Sequence, residues 1–104
     1  MNYSELSDFE INQRVAKLTG NYGSCEPAFN AVYRSSGTQY DPCNRPDQAW
    51  PIIVGSKISV IWAKHSMPHK WEAVAPDHIH IDADSSNPLR AAMNVYLMMQ
   101  EQKA

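Results

Sequence analysis

The hydrophobic pattern is strongest near the C-terminal end of the chain, where it predicts one long apolar helix. Apolar side chains of residues 87–102 cover well over half of the helix surface when placed at 100° per residue. Asn87 suits the N-cap and Pro88 the first helical position. The polar positions form one narrow stripe of three residues: Arg90, Asn94 and Glu101. We therefore expect other elements to cover this helix on more than one side.

A second helix is predicted near the N-terminus by its end signals. Ser7 and Glu10 have the spacing of a capping box, in which each residue satisfies the other's backbone N–H. Gly20 is a typical helix stop. Between these ends, apolar residues recur at the helical spacing along one stripe: Ile11, Val15 and Leu18.

The middle of the chain is harder to interpret. Residues 21–44 contain turn-forming residues, and only Ala31–Arg34 suggests a short strand. Residues Arg45–Val54 predict a helix with Asn44 as N-cap, kinked where Pro51 removes a backbone hydrogen bond. A strand through Ile52–Val54 is the alternative.

Three strands are predicted in the second half. Ile58–Ala63 and Trp71–Ala75 are rich in β-branched and aromatic residues, and His78–Asp82 alternates polar and apolar positions. The predicted fold is a single α+β domain over residues 1–104. A small antiparallel sheet of about three strands packs with the N-terminal, central kinked and C-terminal helices in a layered sandwich.

Charge, apolar run lengths and cysteine content argue against a nucleic-acid-binding, a membrane-spanning and a secreted protein. With a net charge of −2 and a pI near 6.0, the chain lacks the basic excess of a nucleic-acid-binding protein. No apolar run is long enough to span a membrane, and no signal peptide is recognisable, so we expect a cytoplasmic protein. Cys25 and Cys43 are expected to be free thiols. Activation of Cys43 by the nearby Arg45 is a less favoured alternative.

The strongest chemical candidate is a metal site at His78, His80 and Asp82. Positions two apart on a strand share a face, and two imidazoles with one carboxylate are ligands for Zn²⁺ or Fe²⁺. His65 and His69 could add nitrogen ligands if the chain folds back. The plainer interpretation, which we favour, is the polar face of a half-exposed strand, with no cofactor.

Three segments resemble the NinX-like proteins of tailed phages and prophages. They are Tyr3–Asn12, Cys43–Ile53 and Asn87–Met93, in the order typical of that family. The resemblance implies an α+β layered fold and a bacteriophage accessory protein that works inside the host cell. It implies no catalytic or binding residues, and the histidine-rich stretch is not part of the family pattern.

These observations together predict a non-enzymatic factor that binds a host or phage protein in the host cytoplasm. The alternative is a metal-dependent enzyme that uses the His-x-His-x-Asp strand. Trp50 is a candidate interface residue, as are Met98 and Ala91 beside the polar stripe of the terminal helix, where a homodimer could form. Trp62 is expected in the core.

Overall fold

The computed structural model describes residues 2–63, 70–77 and 80–103, and there the chain forms helices packed with two small antiparallel sheets. The α-helices are α1 (Asp8–Thr19), α2 (Pro46–Ser56) and α3 (Pro88–Lys103). The two-stranded sheet pairs β1 (Ser24–Glu26) with β2 (Ala31–Tyr33). The second sheet has the order β3 (Ser59–Ala63), β4 (Lys70–Val74), β5 (Asp82–Ser85). The predicted α+β class is confirmed.

Helix α3 is the central packing element. It contacts all three strands of the larger sheet and also α1 and α2. Residues 91–97 are buried without interruption, which is nearly two helical turns covered on every side. The expectation that this helix is covered on more than one side is therefore confirmed.

Two of the three residues of the polar stripe of α3, Arg90 and Asn94, are covered by the N-terminal segment, whereas Glu101 is exposed. The Arg90 side chain is 12% exposed and Asn94 is 2% exposed. The guanidinium donates hydrogen bonds to Asp8 Oδ1 (2.5 Å), the carbonyls of Tyr3 (2.8 Å) and Leu6 (2.5 Å), and Asn94 Oδ1 (3.0 Å). Arg90 thus fastens the 3-10 helix Tyr3–Glu5 and the start of α1 to α3.

Helix α1 begins and ends where the sequence predicts. Ser7 Oγ accepts a hydrogen bond from the Glu10 N–H at 3.2 Å, and Glu10 Oε1 accepts one from the Ser7 N–H at 3.4 Å. Gly20 ends the helix in the left-handed region at φ 76°. The capping box and the glycine stop are both confirmed, because both signals act within one or two turns.

Helix α2 corrects two details of the prediction. Its N-cap is Arg45, whose carbonyl accepts the first helical hydrogen bonds, and not Asn44. Pro46 takes the first helical position, which a proline suits because no N–H is needed there. The helix continues through Pro51 to Ser56, so the alternative of a strand at Ile52–Val54 is wrong.

The third strand of the larger sheet lies further along the chain than predicted. Strand β5 starts at Asp82, opposite Val74, whereas the prediction ended it there. Ile81 is buried just before the strand, and its carbonyl accepts a hydrogen bond from the Ala75 N–H at 3.0 Å. The alternation of exposed and covered positions continues from His80 to Ser85. An alternating pattern alone does not determine which of its residues pair.

The strand predicted at Ala31–Arg34 is confirmed as β2, but its partner β1 was missed. Gly23 leads into this hairpin, and a Cβ there would lie 2.5 Å from the backbone of Arg34 and Ser35. Its own N–H donates to the Tyr33 carbonyl at 2.7 Å. Only glycine allows so close a backbone approach.

Side chains from all three α-helices hold the loop 39–44. Asn12 of α1 donates to Asp41 Oδ1 at 2.7 Å and accepts from the Cys43 N–H at 3.2 Å. Gln48 of α2 donates to the Gln39 carbonyl at 2.9 Å. Asn87, which caps α3 through the Leu89 N–H, donates to the Cys43 carbonyl at 2.7 Å. These bonds satisfy backbone groups of a loop that covers the core.

Candidate functional site

Two of the predicted metal ligands, His80 and Asp82, lie among the described residues. His80 lies in an exposed turn before β5, and Asp82 is the first residue of that strand. His65, His69 and His78 lie outside the described residues. Among the described residues, no three His, Cys, Asp or Glu side chains are grouped so that they could hold a metal ion. The metal site at His78, His80 and Asp82 stays a prediction.

Asp82 belongs instead to an acidic group on the outer face of the sheet. Asp84 is paired directly with Glu72 across β4 and β5, and Asp82 lies two residues before it on the same face. Partial desolvation, a hydrogen bond with Asp82 and repulsion by both aspartates raise the pKa of Glu72. This face of the sheet therefore carries concentrated negative charge.

The three candidate interface residues have very different environments. Ala91 is fully buried in the core and offers no surface to a partner. Met98 is partly buried and lines a small cavity together with Tyr3 and Ser4 of the N-terminal segment. Trp50 is 64% exposed on α2. Trp50 is thus the candidate best placed to contact another molecule.

The expectation that Trp62 lies in the core is wrong. Its side chain is 48% exposed near the end of β3. Trp62 pairs across the strands with Trp71 in an edge-to-face arrangement, with ring centroids 5.3 Å apart. Aromatic pairs of this geometry stabilise a sheet without full burial. The indoles mark the end of the sheet rather than its centre.

An exposed apolar ridge runs along α2. Trp50 and Val54 are one turn apart and therefore lie on the same side of the helix, 64% and 53% exposed. The other side of α2 contributes Ala49, Ile52 and Ile53 to the core. We call the exposed pair the Trp50–Val54 ridge.

A cleft of about 440 Å³ opens beside this ridge. It lies where the end of α1, the end of β2, the loop before α2, α2 itself and α3 meet. Its lining contains polar, aromatic and aliphatic groups: Thr19, Asn21, Arg34, Tyr40, Asp47, Gln48, Pro51, Ile52, Gly55, Ser56 and Tyr96. We call it the Arg34 cleft.

Arg34 is the basic residue of the cleft wall. Its guanidinium carbon lies 5.1 Å from the centre of the Tyr40 ring, in cation–π range. The Nε atom is buried and has no hydrogen-bond partner among the described residues. A buried donor without an acceptor is unfavourable by about 1–3 kcal/mol, so this atom needs an explanation.

Three of the polar side chains that line the cleft are hydrogen-bonded to one another: Thr19, Asn21 and Tyr40. Asn21 donates to Thr19 Oγ1 at 2.8 Å and to the Tyr40 hydroxyl at 3.5 Å. Burial, and then the nearby Tyr40 phenol, raise the pKa of Tyr96. The cleft is therefore a preformed polar site with an aromatic wall.

Sequence reasoning missed this cleft because its residues come from five separate segments. The nearest local signal is Gly55, inside the last turn of α2, where alanine would be a better helix former. An added Cβ at Gly55 would meet no other atom within 4 Å. The sequence shows only that a glycine lies in the helix. The open space beside it, which points to a site, is seen only in the structure.

The two cysteines are free thiols, as predicted, but they differ in environment. Cys43 is fully buried and Cys25 is partly exposed. Burial, reinforced by the negative charge of Asp8, raises the pKa of Cys43. Arg45 is not among the charged groups that act on this pKa, so activation of Cys43 by Arg45 is not supported.

The two thiols are expected to label at very different rates. In the native protein iodoacetamide should alkylate Cys25 readily and leave Cys43 unmodified, because the reactive species is an accessible thiolate. Mass spectrometry before and after addition of denaturant measures this difference. In a Cys25→Ser variant the remaining thiol should react only after unfolding. Equal rates for both cysteines in the native state would contradict the burial of Cys43.

These features define a class of protein: a small α+β domain built around one buried helix, with an apolar ridge and a polar cleft on its surface. Within the described ranges, no helix has both the length and the apolar character needed to cross a membrane. The chain belongs to the phage NinX family, because residues 2–100 match the family model described as "Bacteriophage P22, NinX". Comparison with curated proteins and with solved structures finds no match. The family resemblance of the three sequence segments is confirmed, and the protein is a phage accessory protein.

Proposed function

We propose that this accessory protein is a non-enzymatic binding factor that acts in the host cytoplasm. Its partner is another protein, of host or phage origin, and its contact surface is the Trp50–Val54 ridge. The observation that carries the proposal is the 64% exposure of Trp50 on a helix whose opposite side is core. Tryptophan is the residue type most enriched at sites that dominate binding energy.

The shape and chemistry of the ridge indicate the kind of partner. A convex pair of apolar side chains one turn apart suits an apolar groove, as when a helix docks into a groove. Asp47 and Lys57 flank the helix ends with charges of opposite sign, so orientation within such a groove would be selected by charge. Burial of an exposed indole contributes the most binding free energy when the partner covers the ring completely.

The partner can be identified by photo-crosslinking from the ridge itself. A benzoylphenylalanine side chain replaces Val54 in phage-infected cells, and the crosslinked protein is identified by mass spectrometry. The matched control places the same group at Phe29, an even more exposed aromatic position at 76%, in the short 3-10 helix between β1 and β2. The proposal expects a defined crosslinked product from position 54 and not from position 29.

The identified protein is then purified and its affinity measured by calorimetry. Trp50→Ala is expected to weaken binding by about 30-fold, the effect of removing a residue that dominates an interface. Phe29→Ala should leave the affinity unchanged, and thermal melts of both variants confirm folding. Equal affinity of Trp50→Ala and the parent protein overturns the proposed surface. Crosslinking of the chain only to a second copy of itself would instead assign the ridge to a homodimer.

A further inference from the structure

We propose that the Arg34 cleft binds a small organic anion, whose phosphate or carboxylate group accepts hydrogen bonds from the Arg34 guanidinium. The cleft volume of about 440 Å³ lies within the range of small-molecule sites and is far too small for a folded partner. This inference is independent of the protein-binding role proposed for the neighbouring ridge.

The first support is the state of the Arg34 side chain. It forms no ion pair with any described residue, and its buried Nε donates to none of them. The guanidinium is oriented by the Tyr40 ring, 5.1 Å away. The fork of donors on a positioned guanidinium matches the paired acceptor oxygens of a carboxylate or phosphate.

The second support is the arrangement of the other lining groups. Asp47 is an acceptor for hydroxyl or amine groups of a ligand, and Ser56 and Thr19 contribute hydroxyls. Pro51 and Ile52 form an apolar wall. The ligand that fits this set carries an oxyanion, one or more hydrogen-bond donors and a compact carbon body.

The third support is Gly55. This residue lies in the last turn of α2, where alanine is the better helix former, yet it lines the cleft. An added Cβ would meet nothing within 4 Å, so the glycine leaves space that the protein itself does not fill. We expect a larger side chain at this position to take up part of the cleft volume.

Titration calorimetry with two groups of probes tests the proposal and separates its two ligand chemistries. The phosphate probes are adenosine 5′-monophosphate and ribose 5-phosphate, and the carboxylate probes are L-glutamate and gluconate. We expect at least one probe to bind with 1:1 stoichiometry and a Kd below about 1 mM, a modest affinity for a site of this size. The group that binds identifies the oxyanion.

Two variants and two controls assign the binding to the cleft. Arg34→Gln is expected to raise the Kd of the probe that binds at least tenfold. Gly55→Leu is expected to abolish binding by filling the cleft. Arg14→Gln, on the exposed surface of α1, should bind as the parent does. Trp50→Ala should also bind normally, which separates this test from that of the ridge. Absence of binding by all four probes at 10 mM, or binding that survives both Arg34→Gln and Gly55→Leu, overturns the proposal.

Discussion

Replacement of Arg90 by methionine is expected to lower the free energy of unfolding by about 3 kcal/mol, the lower end of the effect of breaking a buried ion pair. For a domain of this size that corresponds to a fall in Tm of roughly 15 °C. Methionine keeps most of the apolar stem of arginine. The loss of stability therefore measures the removal of the guanidinium group. Chemical denaturation monitored by circular dichroism measures it.

The physical reason is the number of groups that depend on this one side chain. Arg90 serves the Asp8 carboxylate, the Asn94 amide oxygen and two backbone carbonyls of the N-terminal segment. Its side chain is only 12% exposed, so water cannot replace the bonds without opening the packing. Asp8 is 43% exposed and can be rehydrated, which is why we place the effect at the lower end.

Arg90→Lys is the matched control. It retains the positive charge but not the fork of donors, so it should recover only part of the lost stability. The loss in Arg90→Met should be accompanied by increased hydrogen exchange at residues 3–6, the segment that the guanidinium holds. A loss below 1 kcal/mol with unchanged exchange there would show that the N-terminal segment is held by other contacts.

Met93→Ala is expected to destabilise the protein by about 3 kcal/mol, within the range for truncating a fully buried methionine. Met93 is 0% exposed in the middle of the buried turns of α3. Because α3 is packed between the sheet and the other two helices, the surroundings cannot collapse into the space from one free side. The truncation therefore leaves a cavity.

Met99→Ala, six residues further along the same helix, is the control. Met99 packs against the core but stays partly exposed, so its truncation should cost about 1 kcal/mol or less. Urea denaturation of both variants gives the comparison. Similar losses for the two would mean that α3 is no more constrained at its centre than at its end.

The sequence predicted the helices well because their signals are local. Ser7, Glu10 and Gly20 define α1 through hydrogen bonds and backbone angles inside one element. Asn87 caps α3 in the same way. The error at Asn44 has the same local origin, since Pro46, two residues further on, takes the first helical position and leaves Arg45 as the N-cap of α2.

Strand pairing and the surface sites could not be predicted to the same degree. The alternation around Asp82 is real, but its partner residues on β4 are set by contacts made elsewhere in the fold. The Arg34 cleft combines residues from five segments between Thr19 and Tyr96. A pattern over a few neighbouring residues does not indicate that segments so far apart in sequence lie side by side.

The sequence alone determined the α+β class, both ends of α1 and the start of α3, the family, and the need to cover the terminal helix on several sides. Those properties follow from periodicity and capping, which act over one or two turns. Only the tertiary structure decided that the buried Arg90 side chain holds the N-terminal segment on α3, that Trp62 is half exposed, and that Arg34 lines a cleft while its Nε atom is buried without a partner. Each of these depends on which distant residues come into contact, because burial and hydrogen-bond satisfaction are properties of the packed chain.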